Sequence, residues 1–141
     1  MIEATTLAPG AAEGRPLHLD EPLSFWGGLD VATGRIIDLR HPQAGESVAG
    51  RVLMMAAGRG SSSGSAALAE MLRGGVGPAA ILLKRRDGIV IVGALVAAEL
   101  YGLACPVALV GEGDWERIAA SAQVRIAAGP LCAAIDLAAP P

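Results

Sequence analysis

The 141-residue sequence predicts an α/β domain, and three observations carry that expectation. Short apolar runs at 52–57, 79–83 and 106–110 have the length and composition of buried strands. Helical patterning follows them at 66–73, from about 93 to 101, and at 114–120. Glycine and proline punctuate the joins, and such alternation indicates parallel pairing with helices packed on a sheet.

Composition limits the partners. Hydrophobic residues make up 52% of the chain, enough for one domain with a real core. Aromatic residues are only 3%, so that core must be built from Ala, Val, Leu and Ile. A net charge of −3 argues against a nucleic-acid surface. No apolar run approaches the roughly 20 residues of a membrane span, and no basic-then-apolar leader opens the chain. The expectation is a cytoplasmic protein with neither nucleic acid nor membrane as partner. Cys105 and Cys132 have apolar neighbours and no C-x-x-C spacing, which predicts two buried free thiols.

In chain order, residues 1–16 mix Pro9, Gly10, Gly14 and Pro16 and read as a flexible N-terminal arm, with a single domain over 17–141. Pro22-Leu23-Ser24-Phe25-Trp26-Gly27-Gly28 follows, its tryptophan fit for either the core or an exposed edge. Residues 30–34 form a turn, 35–38 a short strand, and 41–50 a loop. After the central strand and helix, Gly74-Gly75 and Pro78 are a stop signal. Lys84-Arg85-Arg86-Asp87-Gly88 makes a polar turn, and residues 89–92 suit a strand or the lead-in to the next helix, which Gly102 ends. Asp114 and Glu116 are acidic residues early in the next helix. Two last strand-like runs, 123–127 and 131–137, are separated by Gly129-Pro130.

The chemistry concentrates in Gly58-Arg59-Gly60-Ser61-Ser62-Ser63-Gly64-Ser65, set between the 52–57 strand and the 66–73 helix. Glycines permit close backbone approach, and a helix start offers N–H groups and a positive dipole end, so the arrangement suits an anion. A polar turn with a helix cap would rarely need three glycines and four serines in eight positions. The spacing falls one residue from G-x-G-x-x-G, and no lysine follows Gly64 as a phosphate loop requires. A G-x-S-x-G match centres on Ser62, but His18 and His41 both precede it, against the hydrolase order. His, Cys and acidic residues nowhere cluster at metal-ligand spacing. Lys84-Arg85-Arg86 reads as a solvated turn or a docking patch. A non-catalytic anion- or nucleotide-binding module therefore stays open beside an enzymatic site.

Several stretches together resemble the swivel domain of the aconitase X family. They are residues 22–30, 33–38, His41-Pro42, Gly45, 49–53, the serine loop, 77–80 and 93–97, covering about 17–110 in order. The resemblance implies a swivelling β/β/α domain like the fourth domain of aconitase. Aconitases carry G-x-G-S-S-R here, whose first serine removes the substrate proton. Gly58-Arg59-Gly60-Ser61-Ser62 matches, so the resemblance makes Ser61 the catalytic base. Ser63 stands where aconitase has a carboxylate-binding arginine, a departure from a tricarboxylate substrate. Arg59, Gly60, Ser62, Ser63 and Gly64 are then the candidate substrate-binding residues, with no metal ligand in the chain.

In that family the swivel domain is fused to a cluster-bearing domain or stands as a separate small subunit. The resemblance implies the small subunit of a hydro-lyase, inactive without a large partner that carries the iron–sulfur cluster as Lewis acid. Two cysteines agree, being too few to hold such a cluster alone. The family includes bacterial cis-3-hydroxy-L-proline dehydratases and archaeal mevalonate 5-phosphate dehydratases. The Ser24-to-Gly28 and Gly58-to-Ser65 segments look more like the bacterial branch, which implies a β-hydroxy acid substrate.

Overall fold

The computed structural model describes residues 1–60 and 62–138. Its centre is the parallel set β3 (Pro16–His18), β4 (Val52–Met55), β5 (Ala80–Leu83) and β6 (Val107–Leu109). All four residues of β4 and of β5 are buried, because these strands have a layer on each face. Period-two geometry divides them. Leu53, Met55, Ile81 and Leu83 join one cluster, and Val52, Met54, Ala80 and Leu82 the other.

On the first face lie α2 (Ser63–Arg73) and α3 (Gly88–Tyr101), through Leu68, Met71, Val90 and Ala94. Gly93 permits their close crossing: a Cβ there would stand 2.9 Å from the Ser65 carbonyl oxygen. The other face is covered by β7 (Gln123–Ala128) and β8 (Cys132–Ala138), through Val124, Ile126, Ala133 and Ile135, and by Trp115 and Ile118 of α4 (Glu112–Ala119). The single sheet, ordered β2-β7-β8-β1-β6-β5-β4-β3, thus folds over on itself. Strand layer, strand layer and helix layer follow in succession.

Residues 1–16 correct the expectation of a loose arm. They form β1 (Ile2–Ala8) and β2 (Gly10–Gly14), and Pro16 opens β3. β1 lies antiparallel between β6 and β8, with Thr5 opposite Leu109 and Ile2 opposite Ile135. β2 pairs with β7 from Gly10↔Ala128 to Gly14↔Val124. Partners about a hundred or more positions away satisfy the backbone of β1 and β2, so their strand character is tertiary.

Other readings divide. The helix after Gly88 takes in residues 89–92 and stops at Gly102, whose φ of +66° is the left-handed cap that glycine permits. Residues 35–38 make isolated bridges, Leu29↔Ile36 and Arg35↔Ser47, instead of a strand. His41 is buried: its Nδ1 accepts from the Gln43 N–H (3.0 Å), and Nε2 lies 2.9 Å from the Glu21 carbonyl oxygen. Both ring nitrogens are satisfied within the loop.

The two thiols are unlike. Cys105 is buried, its Sγ 3.6 Å from the Pro78 carbonyl oxygen, and burial pushes the thiol pKa up to about 12. Cys132 is exposed, correcting the expectation of a second buried thiol, because the alternation of β8 turns Ala133 and Ile135 inward instead. A thiolate is the reactive form. Iodoacetamide on the folded protein at pH 8 is therefore expected to label Cys132 alone, and both residues after denaturation. Mass spectrometry of the digest checks this, and native labelling of Cys105 would contradict it.

Candidate active site

The loops that follow the parallel strands gather at their C-terminal ends, where open α/β sheets bind ligands. The loop after β4 carries residues 58–60, the β5–α3 connection carries 84–87, and the chain after β3 runs to the short turn α1 (Phe25–Gly28). α1 is broken internally: Trp26 is extended at φ −89°, ψ 114°, and Gly27 has a φ of +86°.

Gly58 donates its N–H to Asp87 Oδ2 at 2.6 Å, and Arg59 donates its N–H to the Leu23 carbonyl at 3.2 Å. Gly60 has a φ of +108°, and a Cβ on it would collide with Ser24 Oγ. Glycine is needed there for both reasons. Ser24 Oγ in turn donates to the Trp26 carbonyl at 2.7 Å. Ser65 Oγ donates to the Ile89 carbonyl at 2.7 Å, which holds the start of α2 against the start of α3.

Arg59 and Gly60 face an open cleft of about 760 Å³, bounded also by Ser24, Trp26, Ile37, Asp38, Leu39 and Arg40. Arg59 Nη2 lies 3.7 Å from Asp38 Oδ2, and Arg40 Nε lies 3.5 Å from Asp38 Oδ1. The Arg40 backbone N–H, then the Arg40 and Arg59 guanidiniums, hold the Asp38 carboxyl below its ordinary range against the opposing effect of partial burial. A carboxylate flanked by two guanidiniums leaves Arg59 partly exposed and able to meet a second anion.

The predicted site residues divide accordingly. Arg59 and Gly60 line the cleft, whereas Ser62 and Ser63 are exposed at the entry to α2 and Gly64 is buried against Ile89. A Cβ at Gly64 would stand 3.0 Å from Ile89 Cγ2, so this glycine serves helix packing. Ser61 lies outside the described residues. Ser24, Asp38 and Asp87 were missed as site residues. Of these, Asp87 before Gly88 carried a readable signal, since an acidic residue ahead of an apolar helix is a cap signature.

A second concavity, about 840 Å³, runs along β1, β8 and the end of β6 and carries the Lys84–Glu112 ion pair (2.8 Å). No described residue of the serine loop lines it, and size alone does not make it the site. Lys84 Nζ also sits 5.1 Å from the centroid of the Trp115 ring, so the first cation of the basic run is committed locally. Arg85 and Arg86 are exposed.

Folded-over strands, one helical layer and a glycine–serine loop at the strand ends define a swivel-type α/β domain. The chain belongs to the aconitase X swivel-domain family, whose sequence pattern matches residues 1–132. It is 44% identical over 131 residues to a cis-3-hydroxy-L-proline dehydratase of Pseudomonas aeruginosa, covering 93% of this chain and 22% of that protein. It is 38% identical over 96 residues to the phosphomevalonate dehydratase small subunit of Methanothermobacter thermautotrophicus, covering 68% of this chain and 73% of that one. Among solved structures, Thermococcus kodakaraensis aconitase X in its holo-form superposes with a TM-score of 0.78 at 27% identity, over 96% of this chain and 99% of that one. The chain thus spans about a fifth of the length of the hydroxyproline dehydratase.

Proposed function

We propose that this chain is the small, swivel-domain subunit of an aconitase X-type hydro-lyase that dehydrates a β-hydroxy acid, cis-3-hydroxy-L-proline. The observation that carries the proposal is the placing of Arg59 and Gly60 on the cleft beside Asp38, in a chain 44% identical to a dehydratase of that substrate. Arg59 would bind the substrate carboxylate through its guanidinium. Ser61, as its alkoxide, would accept the α-proton as that carbon's electrons form the double bond, and the β-hydroxyl would leave as hydroxide that takes a proton from solvent to become water. A serine oxygen is a weak base unless its charge is stabilised, and backbone N–H groups at the start of α2 with the fixed charge of Arg59 suit that task. Trp26 and Leu39 on the rim, 61% and 91% exposed, offer apolar surface that a second subunit would cover.

An iron–sulfur cluster does not fit this chain's own residues. Among the described residues no three His, Cys, Asp or Glu side chains gather as a ligand set, and Cys105 is buried far from its thiolate form. In this proposal the cluster belongs to the large subunit, and this chain contributes the base and the carboxylate contact.

A second reading, the small subunit of a mevalonate 5-phosphate dehydratase, is favoured by relatives named as separate small subunits, 73% of one of which is matched. Anaerobic co-expression with a cluster-bearing large aconitase X subunit, offered both hydroxy acids, separates the two. Turnover of cis-3-hydroxy-L-proline by the complex, and by neither chain alone, is expected. Turnover of mevalonate 5-phosphate alone would shift the assignment, and formation of no complex would leave an anion-binding module.

A further inference from the structure

Three backbone N–H groups converge on the Asp87 carboxylate. Oδ1 accepts from Ile89 (2.9 Å) and Val90 (3.3 Å) and so caps α3. Oδ2 accepts from Gly58 at 2.6 Å, across 29 positions of sequence. The cap needs only the first oxygen, and the second is spent on the serine loop. At the loop's far end, the Ser65 hydroxyl donates to the Ile89 carbonyl on the same first turn of α3. Gly58 and Ser65 are thus both held against one element, the start of α3.

Gly58 agrees with this arrangement. It is not among the glycines of positive φ, so backbone conformation does not require it. Space does: a Cβ there would stand 2.6 Å from Asp87 Oδ2 and 3.5 Å from Val90 Cγ2. The missing side chain lets the carboxylate reach the loop backbone.

We propose that Asp87 is a positioning residue for the serine loop, holding Gly58 so that Arg59 and Gly60 meet the cleft in a single geometry. The turnover part of the test rests on the dehydratase reading above, and the exchange part does not. Asp87→Asn keeps the shape and the Oδ1 cap but turns an N–H donor toward the Gly58 N–H. In the full-length protein the Gly58 amide is expected to exchange about tenfold faster or more, while the Ile89 and Val90 amides stay protected. In the assembled dehydratase, kcat is expected to fall by about 10²-fold with a smaller change in KM, since misplacement of a reacting group acts mainly on the chemical step. Gly58→Ala supplies a coupling measurement. It is expected to be harmful beside Asp87 and tolerated beside Asp87→Ser, whose shorter side chain still caps α3 and vacates the space. Unchanged Gly58 exchange and unchanged kcat in Asp87→Asn, or equal effects of Gly58→Ala in both backgrounds, would overturn the proposal. If Asp87→Asn does not melt cooperatively, Asp87→Ser takes its place in the exchange measurement with the same expected result. If the wild-type complex turns over neither hydroxy acid, the dehydratase reading fails and Gly58 exchange alone decides the role of Asp87.

Discussion

Replacing Ser61 with alanine is expected to lower kcat of the assembled dehydratase by about 10²–10⁴-fold, the range associated with loss of a positioned general base. One hydroxyl is removed from a position between Gly60 and Ser62, so melting temperature and assembly with the large subunit should not change. Ser62→Ala and Ser63→Ala are the internal controls. Both side chains are exposed at the entry to α2, and their loss should cost far less. The comparison needs kcat and KM for the three variants under identical anaerobic conditions. Near-wild-type turnover in Ser61→Ala would end its assignment as the base, and equal losses in all three would point to a shared binding role.

Gly60→Ala is the second large effect expected, and its cause is steric. A φ of +108° is strained for any side chain, at about 1–3 kcal/mol. The added Cβ would also meet Ser24 Oγ, which is held by its hydrogen bond to the Trp26 carbonyl. The loop must therefore shift, carrying the neighbouring Arg59 with it. Turnover should fall by about 10²-fold, as for other displacements of roughly an ångström at a reacting centre. Ser24→Gly in the same chain removes the collision and leaves the dihedral strain, so it should restore only part of the loss. Full restoration would make the clash the whole cause. No restoration would make the backbone conformation the whole cause.

Much of the architecture was legible because its signals are local. The apolar run at 52–57, the glycines and serines after it, and the periodic 66–73 segment specify strand, loop and helix through composition alone. Gly102 ends α3 as expected, and the last two runs form the β7–β8 hairpin around Gly129-Pro130. Of the candidate site residues, Arg59 and Gly60 line the cleft, whereas Gly64 proves to be a packing glycine. Local sequence does not separate those two uses of glycine, because the difference lies in what stands opposite: Ser24 for Gly60 and Ile89 for Gly64.

The N-terminal strands show the other limit. Ile2-Glu3-Ala4-Thr5-Thr6-Leu7-Ala8 has weak alternation, and Pro9 and Gly10 interrupt it, so nothing local distinguishes it from a loose segment. Pairing with β6 on one side and β8 on the other makes it a strand in the interior of the sheet. Asp87 is similar. Its cap on α3 can be read from Asp87-Gly88 and the apolar residues after them, but its bond to Gly58 exists only because β4 and β5 lie side by side.

By itself, then, the sequence determined the class of the fold, the strand–loop–helix at 52–73 and the family, since these rest on periodicity, turn chemistry and a colinear motif. The tertiary structure decided which terminal residues complete the sheet, which thiol is reachable, and which carboxylates hold the serine loop and its arginine. The physical reason is the range of the forces involved. Backbone propensity and capping act within a few residues, whereas burial and hydrogen-bond partnership depend on groups that only the folded chain brings within reach.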